Sequence, residues 1–113
     1  MADLMKRGHK VALPYGEDWP FDLVVMRAGR FERVQCKTGR LRDGAVVFDC
    51  SSTRKYTSEN IDWMAAYEPS TQQIYYVPAG LLGDGMNTFS LRVDPPRNQR
   101  TTGIHFAHEF QTF

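Results

Sequence analysis

The sequence predicts an α/β fold with a central mixed β-sheet of about five strands and flanking helices. Short runs rich in Val, Phe and Tyr alternate with turn residues such as Gly, Pro and Asn, a pattern typical of strands and hairpins. The composition is 42% hydrophobic and 24% charged, which is ordinary for a globular protein. We therefore expect one domain spanning residues 1–113, with a single modest core.

The first half of the chain is predicted to form a short helix followed by strands. Residues 2–7 are typical of the last turns of an amphipathic helix that ends at Gly8. Strands are predicted over residues 9–13, 21–26, 31–38 and 45–49. We expect the last three to form a meander, with a turn at 28–30 and a polar loop at 39–44.

The second half is predicted to contain aromatic-rich strands and little helix. Strands are expected over residues 62–68, 73–77 and 88–93, and short helical turns after Thr57 or Ser58 and over residues 78–82. Pro95 and Pro96 break regular structure, and residues 103–110 fit either a strand or a short helix.

Composition excludes several classes of protein. No apolar run approaches the ~18 residues of a membrane span, and the N-terminus lacks the apolar stretch of a signal peptide, so no membrane partner is expected. Cys36 and Cys50 are too few for a disulfide framework, and no Cys/His spacing indicates a zinc site. We expect reduced thiols in an intracellular protein.

The cations of this chain are clustered although its net charge is only +1. The clusters contain Arg27, Arg30, Arg33, Arg40 and Arg42, and then Arg54 and Lys55. Two interpretations stay open at this point: the clusters steer a polyanion, or they are ordinary solvated charges.

The most informative pattern joins two of the predicted strands. Asp22 opens one strand, and Gln35 and Lys37 lie two residues apart on the next. Since strand side chains alternate between faces, Gln35 and Lys37 share one face, and a hairpin would bring Asp22 beside them. A carboxylate, an amide oxygen and an ammonium at one place suit a divalent metal and a phosphate.

This pattern resembles the PD-(D/E)XK nuclease superfamily, in which an acidic residue opens one strand and an (Asp/Glu/Gln)-x-Lys triplet lies on the next. The closer resemblance is to the branch of group I intron homing endonucleases and archaeal-type Holliday-junction resolvases. It extends over nearly the whole chain. The segments that carry it are Arg7-Gly8, Pro14-Tyr15-Gly16-Glu17, Phe21-Asp22-Leu23-Val24, Arg33-Val34-Gln35-Cys36-Lys37-Thr38-Gly39, Val77-Pro78 and residues 91–99. A restriction-endonuclease-like core is implied.

The resemblance also implies a role for each site residue. Asp22, the Gln35 amide oxygen and the backbone carbonyl of Cys36 would bind Mg²⁺, with Mn²⁺ as a substitute, and Lys37 would orient the attacking water. Glu17 is a further candidate acid. The family usually adds a Glu from its first helix, upstream of residue 1. A natural short form, a truncated chain and loss of cleavage remain open explanations.

The functional expectation is a metal-dependent DNA endonuclease, preferably selective for branched DNA such as a Holliday junction. The seven clustered cations are assigned to DNA contacts. Symmetric cutting of a junction implies a homodimer. The tail around Phe106, Phe110 and Phe113 would form that interface or simply close the core. A sequence-specific homing or restriction-like endonuclease and a catalytically silent DNA-binding module are the alternatives.

Overall fold

A computed structural model describes residues 1–16, 18–50, 56–82, 87–94 and 104–113 of the chain. The helix α1 covers Ala2–Lys6, and two short 3₁₀ helices cover Ala79–Leu81 and Ala107–Phe110. The strands are β1 (Lys10–Ala12), β2 (Leu23–Arg27), β3 (Arg30–Thr38), β4 (Arg40–Arg42), β5 (Ala45–Asp49), β6 (Trp63–Glu68), β7 (Gln73–Pro78) and β8 (Thr88–Arg92). The predicted α/β class is confirmed.

The central sheet has five strands, the number that was predicted, and their order is β1-β2-β3-β6-β7. Only the β3–β6 pair is parallel, so the sheet is mixed. Strands β2 and β3 form a hairpin whose tip, Ala28-Gly29, has φ values of 50° and 74°. Two positive φ values in a two-residue loop match the right-handed twist of the flanking strands. This hairpin fixes the register of the two strands that carry the candidate site.

A second, three-stranded sheet has the order β4-β5-β8. Residues 45–49 form a strand, as predicted, but the prediction that this strand continues the meander of β2 and β3 was wrong. Strand β5 pairs with β4 and β8 and not with β3. The expected polar loop at 39–44 also contains the strand β4. The chain passes from β3 of the first sheet to β4 of the second through the single residue Gly39.

The two faces of the central sheet bury different clusters. The face that we call the front carries Met64, Ala66, Tyr75 and Val77, which pack under the second sheet. The opposite face, the back, carries a smaller cluster that includes Val34 and is covered by Leu4 of α1. Since Gln35 and Lys37 pair in register with Met64 and Ala66, they belong to the front face.

The C-terminal aromatic residues close the core. Phe110 is buried in the front cluster, and the ring of Phe113 packs against Trp63 and Tyr76 on the back. Residues 103–110, left open between strand and helix, contribute an isolated bridge at Phe106 and a 3₁₀ helix. In the described part of the chain, no helix is long and apolar enough to cross a bilayer.

Candidate active site

Asp22 lies at the start of β2 and is held against β3 at two points. Its backbone N–H donates to the carbonyl of Val34 at 2.9 Å. Its carboxylate Oδ2 accepts a hydrogen bond from the backbone N–H of Cys36, also at 2.9 Å. Because Leu23 pairs with Val34, Asp22 stands beside Gln35. The carboxylate therefore touches the residue between Gln35 and Lys37.

Gln35 is a polar side chain in a buried position. It is only 9% exposed, yet none of the residues that the structure describes forms a hydrogen bond with its amide. Gln35 lies next to Asp22 across the β2–β3 pair, and its amide oxygen is a ligand type that Mg²⁺ accepts.

The backbone carbonyl of Cys36 is oriented toward the same place. The N–H and C=O of one residue in an antiparallel ladder point to the same neighbouring strand, and the Cys36 N–H points to Asp22. The β2–β3 ladder ends at the Leu23–Val34 pair, two residues before Cys36. The carbonyl of Cys36 consequently faces the Asp22 side beyond the last ladder pair. Burial, and then the negative charge of Asp22, raise the pKa of the Cys36 thiol.

Lys37 lies over an aromatic ring on the front face. Its Nζ is 5.3 Å from the ring centroid of Tyr56, a cation–π distance. Among the described residues it forms no ion pair with a carboxylate. Burial and the nearby charge of Asp49 raise the pKa of the adjacent Cys50 thiol to about 11, and Lys37 opposes that shift. Within the described residues, the Lys37 ammonium therefore contacts an aromatic ring and has no carboxylate partner.

These groups fit a hard divalent cation that keeps several of its waters. They are one carboxylate, one amide oxygen and one backbone carbonyl, which are the ligand types that Mg²⁺ accepts. Within the described ranges, no group of three or more His, Cys, Asp or Glu side chains comes together. Glu17, the further candidate acid, lies outside the described residues. A site with Asp22 as its single described acid should bind metal weakly.

The cations assigned to DNA contacts fall into three groups. Arg54 and Lys55 lie outside the described residues. Arg27 and Arg33 have structural partners, described below. Arg30, Arg40 and Arg42 are exposed, and none of them forms an ion pair within the part of the chain that the structure describes.

Arg27 and Arg33 are tied to carboxylates. Arg27 pairs with Glu32 at 2.8 Å and lies 4.0 Å from the ring centroid of Phe113. Arg33 pairs with Asp62 at 3.0 Å, and this hydrogen-bonded pair lowers the pKa of Asp62. Both arginines therefore stabilise the fold. Sequence reasoning missed these pairs, since their geometry depends on strand register and on contacts up to 29 residues apart.

A cavity of about 200 Å³ lies on the other side of the sheet, below Leu4 and Tyr76. Its lining is mainly apolar and includes Val34, Ala65 and Ile74, and two residues of the candidate site, Cys36 and Lys37, also border it. Asp22 and Gln35 do not line this cavity, so we do not place the metal site in it.

Comparisons with known proteins point to one family and one fold. A family model described as PD-(D/E)XK endonuclease matches residues 1–113. The solved structure of a bacterial homing endonuclease, I-Ssp6803I, matches with a TM-score of 0.72 and 23% sequence identity. That match covers 97% of this chain and 76% of the other. A search of curated proteins finds no match.

Proposed function

The chain belongs to the PD-(D/E)XK endonuclease family, and on that premise we propose that residues 1–113 form one nuclease domain that cleaves DNA in a metal-dependent reaction. Nucleases of this family generally use divalent metal ions. The observation that carries the proposal is the 2.9 Å hydrogen bond from the Cys36 N–H to the Asp22 carboxylate. It joins the acidic residue of one strand to the Gln-x-Lys triplet of the next.

We assign the metal ligands to Asp22, the Gln35 amide oxygen and the Cys36 carbonyl, and Mg²⁺ is the proposed ion, with Mn²⁺ as a substitute. A cation bound there would polarise the scissile phosphate as a Lewis acid. Lys37 orients the attacking water and balances the negative charge that develops on the phosphate. Lys37 lies two residues from Gln35 on the same face of β3, and its Nζ lies over the ring of Tyr56. This position supports the role.

Branched DNA is the proposed substrate class. Reading a junction by shape needs mostly phosphate contacts, and the exposed Arg30, Arg40 and Arg42 are suited to them. Because symmetric cutting of a four-way junction needs two sites, we propose a homodimer inside the cell. Phe110 and Phe113 pack in the two core clusters, so we do not assign them to its interface.

A second candidate function is cleavage of a defined duplex sequence. The observation that favours it is the fold similarity to a bacterial homing endonuclease. Reading a duplex sequence requires side chains at base edges in a groove, in addition to phosphate contacts. A catalytically silent DNA-binding module is the third possibility, and a cleavage assay must distinguish it from the two nucleases.

A cleavage assay on paired substrates tests the proposal. A synthetic four-way junction and the linear duplexes built from the same sequences are incubated with the protein and Mg²⁺, with EDTA as the control. We expect cuts in the junction and none in the duplexes. Cutting of a duplex library at one defined site would support the homing alternative, and binding without cleavage would support the silent module.

A further inference from the structure

We propose that Tyr15 and Trp19 form an aromatic platform that stacks on an unstacked base of the DNA substrate, next to the scissile phosphate. The inference rests on the proposed function, because it assigns a contact to the same DNA. It concerns the loop between β1 and β2, which leads directly into Asp22. We define the platform as the side chains of Tyr15 and Trp19.

Both rings of the platform are exposed to solvent. Tyr15 is 98% exposed and Trp19 is 51% exposed. Large aromatic side chains are costly to leave in water, since each can bury on the order of 150–250 Å² of surface. An exposed aromatic pair at a site that acts on nucleic acid has an evident partner, because every base offers an apolar face.

The Trp19 ring of the platform is fixed in place. Its indole Nε1–H donates to the backbone carbonyl of Tyr15 at 3.0 Å. The ring of Trp19 also contacts Phe21, with ring centroids 5.5 Å apart, and Phe21 packs against the front cluster. Stacking on a held ring loses less side-chain entropy than stacking on a mobile one.

The platform lies close to the candidate site. Trp19 is three residues from Asp22, so their Cα atoms are at most about 11 Å apart. This distance corresponds to about three base pairs at ~3.4 Å each. A base stacked on Trp19 or Tyr15 would therefore belong to a nucleotide within a few positions of the phosphate at Asp22.

The geometry favours DNA with an accessible base. Inside a regular duplex both faces of every base are covered by neighbours, so stacking on a protein ring requires a base that has left the stack. A branch point supplies such a base at lower cost than an intact duplex does. The platform would thus make binding selective for branched DNA in a way that phosphate contacts alone do not.

Binding measured in EDTA, where metal-dependent cleavage cannot occur, tests the platform. We expect Tyr15→Ala to weaken binding of a four-way junction by about 5- to 150-fold, the range for loss of one base–aromatic stack. Tyr15→Phe, which keeps the ring, should bind as the wild type does. The control is Tyr67→Ala, which removes a tyrosine that is 40% exposed and borders the cavity on the back face.

A fluorescence experiment reports on Trp19 itself. In a Trp63→Phe variant, Trp19 is the remaining tryptophan, and its emission should be quenched when junction DNA is added.

The proposal is overturned if Tyr15→Ala binds the junction as tightly as the wild type does, or if the substitution weakens binding of the junction and of the linear duplex by the same factor. It is also overturned if Tyr15→Ala instead changes self-association in sedimentation. If wild-type protein binds no DNA, the proposed function fails as well.

Discussion

Asp22 and Gln35 lie next to each other on neighbouring strands, and we propose that they bind one metal ion together. The carboxylate is anchored by the Cys36 N–H, and the neighbouring amide has no hydrogen-bond partner among the described residues. A carboxylate held in this way next to a side-chain amide supplies two of the ligand types that Mg²⁺ accepts. Lys37, held over Tyr56, adds positive charge on the same face.

Gln35→Glu tests the assignment of this position as a metal ligand. The substitution keeps an oxygen on the front face and adds a negative charge beside Asp22. We expect tighter metal binding, and cleavage that reaches half its maximum rate at a lower Mg²⁺ concentration. Metal titrations of cleavage and isothermal calorimetry measure this. A folded Gln35→Glu variant that binds no metal would contradict the assignment.

The exposed arginines give a separate prediction about phosphate contacts. Arg40→Ala and Arg42→Ala should each lower the slope of log affinity against log salt by about 1, because one phosphate contact is lost. The control is Lys6→Ala, since Lys6 is an exposed cation on helix α1, which packs on the back face. Filter binding at several salt concentrations provides the slopes. Equal slopes for all three variants would exclude the contacts.

The grouping of site residues could be predicted from the sequence because it needs only strand alternation and one hairpin. The pattern is local, because all three residues, Asp22, Gln35 and Lys37, lie on the two strands of that hairpin or directly before it. The roles of Arg27 and Arg33 could not be predicted, because their partners Glu32 and Asp62 are identified only once the register is known. Charge clustering alone does not distinguish a solvated arginine from one that holds the fold together.

The element that links the site to the second sheet is the turn at Gly39. Strand β3 ends at Thr38 and β4 begins at Arg40, so one residue carries the chain between sheets. A Cβ at Gly39 would lie 2.9 Å from Cγ1 of Val46, which is buried in the front cluster. Such crossings need a close approach of backbone and core, which only glycine permits without strain.

Gly39→Ala should destabilise the protein by about 1–3 kcal/mol, the usual cost of overpacking a core. The control is Gly80→Ala, because a Cβ there meets nothing within 4 Å and its effect should stay within about 0.5 kcal/mol. Urea denaturation gives both values. If the two substitutions change the free energy of unfolding by the same amount, the claim that Gly39 packs closely against Val46 is wrong.

The β6–β7 turn is held by the carboxylate of Glu68. Its two oxygens accept four hydrogen bonds, from the backbone N–H and the hydroxyl of both Ser70 and Thr71. These bonds, those from Ser70 first, lower the pKa of Glu68 from 4.5 to about 2. Since the folded state keeps the charged form, the carboxylate stabilises the protein above pH 4.5, and this contribution is lost as the pH falls through about 2.

Glu68→Gln should therefore be less stable than the wild type at pH 7, with a difference that shrinks between pH 5 and about pH 2. Urea denaturation of both proteins across this range measures the effect. A constant difference at every pH would show that the carboxylate is not held in its charged form by the turn.

At the scale of the whole molecule, the prediction succeeded for the central sheet and failed for the second one. Hairpins and alternating strands are local patterns, so a mixed sheet of about five strands could be predicted from them, but the strand order with its parallel β3–β6 pair could not. The second sheet joins β5 to β8, with Asp49 opposite Thr88 and Ala45 opposite Arg92. Pairings this far apart in sequence leave no local signal, and β4 has only three residues.

The two sheets together define what the molecule can bind. The front cluster contains residues of β6 and β7 of the central sheet and, among the described residues, none of β1 or β2. Asp22 lies directly before β2. We therefore propose that DNA approaches over the β1–β2–β3 side, past the loop that carries Tyr15 and Trp19.

The central claim is that Asp22 and Lys37 act in phosphodiester cleavage, and the rate of Mg²⁺-dependent DNA cleavage tests it most directly. We expect Asp22→Ala and Lys37→Ala each to lower that rate by at least on the order of 10²–10³-fold while junction binding stays within a few-fold of the wild type. Circular dichroism verifies that both variants fold. If both folded variants cut DNA at the wild-type rate, the site proposed on the front face is wrong.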